Sequence, residues 1–144
     1  SDRINPSVSA LKRILDAIAM PLSDFSAIDE KASEEKVLKA SSLTEIGRGG
    51  ISFRQIGKDL SGRALQLLYE TYQPGADTGK IMLRHDGEEA GFVISGRIEL
   101  TIGSTLHILN AGDAYYFKSI EPHRFRNATT KPAVIVSACT PPTF

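Results

Sequence analysis

Cysteine is almost missing from this sequence: the one thiol, Cys139, has no second cysteine to pair with, so an internal disulfide is excluded. It follows the apolar run 133–138 and reads as a small buried hydrophobe, and a reducing compartment is the simplest fit. Long apolar stretches are missing too. None approaches the roughly 20 residues of a membrane span, and the N-terminal residues carry no secretion-signal pattern, so a cytoplasmic location without a membrane partner is expected. An excess of charge of either sign is the third absence. With 17 basic and 17 acidic residues the chain has no net charge, and it lacks the basic surplus by which a protein surface neutralises nucleic-acid phosphates. At 144 residues there is room for one ordinary domain and a short appendage. A domain of that size buries roughly 70% of its unfolded surface and needs no covalent staple.

The chain opens with Asn5-Pro6-Ser7, a turn and helix N-cap signal, followed by Val8, Leu11, Leu15 and Ile18 at helical spacing. Pro21 ends this short N-terminal helical segment. From residue 27 to residue 50 the sequence is polar, with Glu30, Lys31, Glu34, Glu35 and Lys36 in a helical pattern, and it reads as a linker lying on the domain surface. The Gly47-Arg48-Gly49-Gly50 cluster lacks the Lys-Ser/Thr ending and the following helix of a phosphate-binding loop, so it receives no such role. After Gly50 the character changes to short β-type runs. Strands are predicted over 52–56, 64–72, 80–84, 90–95, 97–102, 105–109, 114–117, 123–127 and 133–138, separated by turn residues. This regular spacing predicts an all-β fold, closed or sandwiched and antiparallel.

Two stretches within it carry chemistry. In the first, alternation from Ile81 to His85 puts Leu83 and His85 on one face, and the Asp86-Gly87 turn brings Glu89 back beside them. In the second, His123, Phe125 and Asn127 share a strand face. Two imidazoles and a carboxylate held on rigid strands are the ligand set for one divalent transition metal (Zn, Fe, Ni or Mn), with positions left open for water or a small ligand. Leu83 and Phe125 read as apolar wall around His85, Glu89 and His123. His107 reads as a surface or cross-strand residue, and Asn127 as the support of the turn after its strand.

The arrangement resembles the cupin superfamily, whose motifs are G-x5-H-x-H-x3-E-x6-G and G-D-x3-[FY]-P-x-G-x2-H-x3-N. His85, Glu89 and Gly96 fall on the second His, the Glu and the last Gly of the first motif. Gly112, Asp113, Phe117, His123 and Asn127 fall on the second. Leu83 stands at the first His, Asp77 at the first Gly, and Lys118 and Ile120 at the Pro and Gly before His123. The resemblance implies a double-stranded β-helix, the cupin jelly-roll barrel, over residues 51–144.

Residues 1–26 resemble the end of a lambda-repressor-type (XRE family) helix-turn-helix domain, in Asn5-Pro-Ser-Val-Ser and Ala19-Met-Pro-Leu-Ser-Asp-Phe25. The ending Thr140-Pro-Pro-Thr-Phe144 is similar to that of regulators which follow a helix-turn-helix with a cupin. These likenesses imply a cytoplasmic transcriptional regulator, not an enzyme, that binds a small-molecule effector in the barrel through Leu83, His85, Glu89, His123 and Phe125. DNA would be engaged only through a domain upstream of Ser1. A homodimer is expected, because such regulators read paired half-sites and exposed β-edges need covering. The alternative is a metal-dependent enzyme, a dioxygenase or isomerase, using the same triad.

Overall fold

Among the described residues nine strands follow one another, with one short 3-10 turn, Ala40–Ser42, before them. The computed structural model describes residues 36–143. The helical segment expected within residues 1–26 and the charged stretch 30–35 lie outside the described residues. The strands are β1 (Thr44–Glu45), β2 (Ile51–Gln55), β3 (Gln66–Tyr72), β4 (Glu88–Ser95), β5 (Arg97–Ile102), β6 (Thr105–Asn110), β7 (Ala114–Lys118), β8 (His123–Arg126) and β9 (Ala133–Thr140). All pairs are antiparallel. One sheet runs β1-β2-β3-β9-β4-β7 and the other β6-β5-β8. This is the antiparallel all-β class that the turn spacing predicts, and the jelly-roll that the cupin resemblance implies.

Strand alternation decides what faces inward. Leu68, Tyr72, Val93, Tyr115, Phe117, Ala133 and Ile135 from the larger sheet meet Ile98, Leu100 and Phe125 from the smaller one, all of them buried. The rings pack edge-on or tilted, with Tyr115 and Phe125 centroids 5.4 Å apart and Tyr72 and Phe125 6.3 Å apart, the spacing at which aromatic pairs attract beyond their buried area. Asn127 is fully buried at the end of β8 and closes the next turn: its Nδ2 donates to the carbonyls of Tyr72 and Lys131, and its Oδ1 accepts from Thr129.

Two expected boundaries shift. Residues 80–84 do not form a regular strand. Gly75 and Gly79, both at positive φ, bend the approach, and residues 75–85 follow β8 through separated bonds such as Thr78 N to Phe125 O, 2.9 Å, and Leu83 N to His123 O, 2.7 Å. The stretch 27–50 is not linker throughout either, since Thr44 and Glu45 pair with Gln55 and Arg54. Glu45 holds this corner by accepting from the Gly47 and Phe53 amides and the Ser52 hydroxyl, which also keeps its carboxyl below the usual range. A compact unit accordingly begins at Ala40.

Candidate functional site

At one end of the larger sheet the inward face turns from apolar to polar. The register sets Gln66, Cys139 and Glu89 in one row across β3, β9 and β4, and Leu68, Ser137, Gly91 and Tyr115 in the next. A Cβ on Gly91 would lie 2.5 Å from the Tyr115 hydroxyl, so glycine there is what lets the Tyr115 ring fold over the sheet. His85 arrives from the opposite side on the irregular segment, fixed by its amide bond to the Ser119 carbonyl. His123 is the first residue of β8 and is fully buried.

The structure brings His85, Glu89 and His123 together. Glu89 Oε1 lies 3.1 Å from His85 Nε2 and 2.9 Å from His123 Nε2, and the three candidate ligand atoms fall within 4.8 Å of one another. His123 Nδ1 is 2.7 Å from the Glu121 carbonyl; a carbonyl can only accept, so Nδ1 carries the proton and Nε2 offers a lone pair. That lone pair faces a carboxylate oxygen that is itself an acceptor, and neither atom has a hydrogen-bond donor. Two buried acceptors in contact repel unless a cation joins them. A divalent metal meets that requirement. With metal–ligand bonds of about 2.1 Å, adjacent ligands of an octahedron stand about 3.0 Å apart, close to both separations seen here. The residues fit such an ion: His85, Glu89 and His123 would hold it, and it would supply Lewis acidity and open positions for a ligand oxygen.

In the metal-free protein, burial lowers the proton affinity of His123. Once protonated, its Nε2 donates to Glu89, and this bond, the Glu121 carbonyl and the Glu89 charge outweigh burial, so its pKa rises above the ordinary imidazole value.

A small cavity of about 30 Å³ opens around the triad, lined by Phe53, Leu68, Tyr72 and Leu83 and by the polar Glu70, Ser137 and Cys139. Leu83 thus lies where the sequence put it, on the wall beside His85. Phe125 does not. It shares a strand face with His123, but its ring is packed into the core against Tyr72 and Tyr115, so it supports His123, ring centroids 6.3 Å apart, instead of lining the cavity. His107 sits exposed on β6 opposite Leu100, apart from the triad.

Sequence reasoning missed Glu70. It is buried on β3 and accepts hydrogen bonds from Tyr72 Oη, 2.9 Å away, and from the Ser137 hydroxyl. Burial pushes its carboxyl up to about 7; the two hydroxyls pull the other way, and the Glu89 charge adds to the rise. The signal was present in the alternation of β3, which places Gln66 and Glu70 on the same face as Leu68 and Tyr72, where an apolar side chain is the rule.

The Glu70 shift has a sign that can be checked. Between its ordinary value of 4.5 and about 7 the folded protein holds a proton that the unfolded chain has released, so stability is highest below 4.5 and falls as pH rises through 7. A displacement of that size corresponds to about 3 kcal/mol. Urea unfolding at pH 5 and pH 8 should therefore show a fall that Glu70→Gln largely removes; equal falls in both proteins would mean that Glu70 does not titrate in this window.

The family model for the cupin domain (Cupin_2) matches residues 68–139. The chain belongs to the cupin family. It is also 37% identical over 144 residues to the HTH-type transcriptional regulator PuuR of Escherichia coli (strain K12), an alignment covering 99% of this chain and 77% of that protein. Among solved structures, the Cupin_2 domain of an XRE family transcriptional regulator from Enterobacter cloacae superposes with a TM-score of 0.57 at 21% identity, over 66% of this chain and all of that one. Ectoine synthase from P. lautus superposes with a TM-score of 0.62 at 19% identity, over 74% of this chain and 78% of that one. The two superpositions speak for the fold, which serves regulators and enzymes alike. Kinship with a regulator rests on the first alignment and bears out the resemblance carried by the two ends of the sequence. Among the described residues no helix is long and apolar enough to cross a membrane.

Proposed function

We propose that this cupin senses a small molecule for a helix-turn-helix transcriptional regulator, binding it in the cavity around His85, Glu89 and His123 and thereby controlling DNA binding by a domain attached upstream. The observation that carries the reading is the relation to a regulator along 99% of the chain. The cavity agrees with it, since apolar walls around a few convergent polar groups are the usual form of a small-molecule site. A ligand with one polar end suits this lining, whether it reaches the triad directly or through a bound metal. Such a ligand stabilises the fold by mass action, about 2.7 kcal/mol at a hundred times its dissociation constant. Amino acids, polyamines and small carboxylates should be screened by thermal shift. The expected result is a hit abolished by Leu83→Arg, which fills the cavity wall with a charge; a hit unaffected by it would place the effector elsewhere. In the full-length regulator the same compound should change operator affinity.

The triad itself favours a second reading, a metal-dependent dioxygenase or isomerase. Turnover of a screening hit by the isolated chain would decide for it.

We further propose that two copies associate through the outer face of the larger sheet. Tyr69, Val136 and Phe92 are register partners in one row, and Tyr69, Phe92 and nearby Tyr116 are 40%, 59% and 71% exposed, an apolar row of the kind that marks an interaction surface. Light scattering at micromolar concentration should give a dimer mass, and Phe92→Glu should halve it; a monomeric wild type would refute the assignment.

A further inference from the structure

The C-terminal residues return to the triad. After β9 the chain turns at Thr140-Pro141 and packs on the Asp86-Gly87 turn, so closely that a Cβ on Gly87 would stand 2.0 Å from the Thr140 carbonyl oxygen and 2.7 Å from Pro141 Cδ. Two residues later Thr143, itself exposed, is tied to the barrel by its main chain: its amide donates to Gln66 Oε1, 3.0 Å. Gln66 is fully buried and is itself tied to Gln55, 2.7 Å. The Thr143 hydroxyl then stands among three partners, the most distant of them the Cys139 sulfur at 3.8 Å. It donates to the Pro141 carbonyl, 3.2 Å, and lies 3.3 Å from His85 Nδ1.

We propose that Thr143 is a positioning residue for His85: with its proton committed to Pro141, its hydroxyl oxygen accepts the His85 Nδ1–H and so leaves the Nε2 lone pair free to ligate a cation held jointly with Glu89 and His123. The Asp86 carbonyl, 3.4 Å from the same nitrogen, can only accept and acts in the same sense. A ligating imidazole generally hands its second N–H to such a partner, which fixes ring and tautomer, and loss of the partner weakens metal binding about 10–100-fold. His123 has the Glu121 carbonyl for this task. His85 relies on a longer contact to Asp86 and on a hydroxyl supplied from the end of the sequence, 58 positions away. The inference rests on the reading of the triad as metal ligands, yet its geometric half concerns the metal-free protein.

The test uses the 144-residue chain with zinc or cobalt(II) in competition with a chelator, alongside long-range proton–nitrogen NMR of the His85 ring without metal. Thr143→Val, which replaces the hydroxyl by a methyl group of like size, should weaken metal binding about tenfold or more and lower the share of the Nδ1–H tautomer of His85. Thr143→Ser should restore both. A valine variant that binds metal as the wild type does and keeps the Nδ1–H tautomer would overturn the proposal. So would a serine variant as weak as the valine one, and that comparison holds even if valine loosens the tail. If the wild type takes no metal, the reading of the triad falls, and the NMR measurement alone then decides the role of Thr143.

Discussion

Metal bound by the wild-type chain should fall to background in a His85→Ala, His123→Ala double variant, a loss of more than about a hundredfold in affinity. That exceeds the 10–100-fold expected from removing an outer partner, because the double change deletes two of the three donors and leaves Glu89 as a lone carboxylate. The expectation rests on the contact between His123 Nε2 and Glu89 Oε1 at 2.9 Å, two acceptors without a donor. In the absence of a metal only a proton can relieve that contact, which is why His123 holds its proton more tightly than a free imidazole. Metal and proton therefore compete for one lone pair, and metal binding should weaken as pH falls toward and below about 6.5. Sign matters for stability as well. In the metal-free protein the raised value of His123 gives stability that is present at low pH and lost as pH rises through it; saturating metal should reverse that trend. Elemental analysis of both proteins as purified, followed by titration at two pH values, makes the measurement. Unchanged metal content in the double variant would remove His85 and His123 from the ligand set.

The triad was legible in the sequence because its members are joined by short, regular geometry. A two-residue turn and strict alternation bring His85 and Glu89 together within five positions, and His123 follows from motif spacing. What escaped was set by distant pairing. Glu70 meets Ser137 across 67 positions, and Thr143 meets Gln66 across 77; strand alternation marks each as inward or outward without saying which residue stands opposite. Phe125 shows the limit from the other side. Sharing a face with His123 made it a candidate for the cavity wall, but one strand passes through both site and core, and its second inward residue is already beneath the aromatic layer of Tyr72 and Tyr115. The 80–84 stretch misled for a local reason. Its alternation is real, and Leu83 does pair with His123, but the glycines at 75 and 79 break the regular ladder that propensity alone would extend.

Gly87→Ala should destabilise the protein by about 3 kcal/mol or more, and this is the second large effect expected. Gly87 holds φ at +99°, where a side chain costs about 1–2 kcal/mol. The methyl group would also be driven against the Thr140 carbonyl and Pro141. These are main chain and a proline ring, which yield less readily than the tip of a flexible side chain, so overpacking adds about 1–3 kcal/mol. Gly87 is further held by its carbonyl, which accepts from the Ser119 amide at 2.9 Å, leaving the turn little freedom to retreat. Gly103 provides the comparison. It too has positive φ, +60°, but nothing lies within 4 Å of its would-be Cβ, so Gly103→Ala should lose only the backbone part, about 1 kcal/mol. For a domain of this size 3 kcal/mol is roughly a 10 °C fall in Tm. Because Glu89 is two residues further along β4, whatever Gly87→Ala leaves folded should also bind metal more weakly, whereas Gly103→Ala should bind it normally. Equal melting temperatures in the two variants would show that the C-terminal residues do not pack on the turn that carries Glu89 into the site.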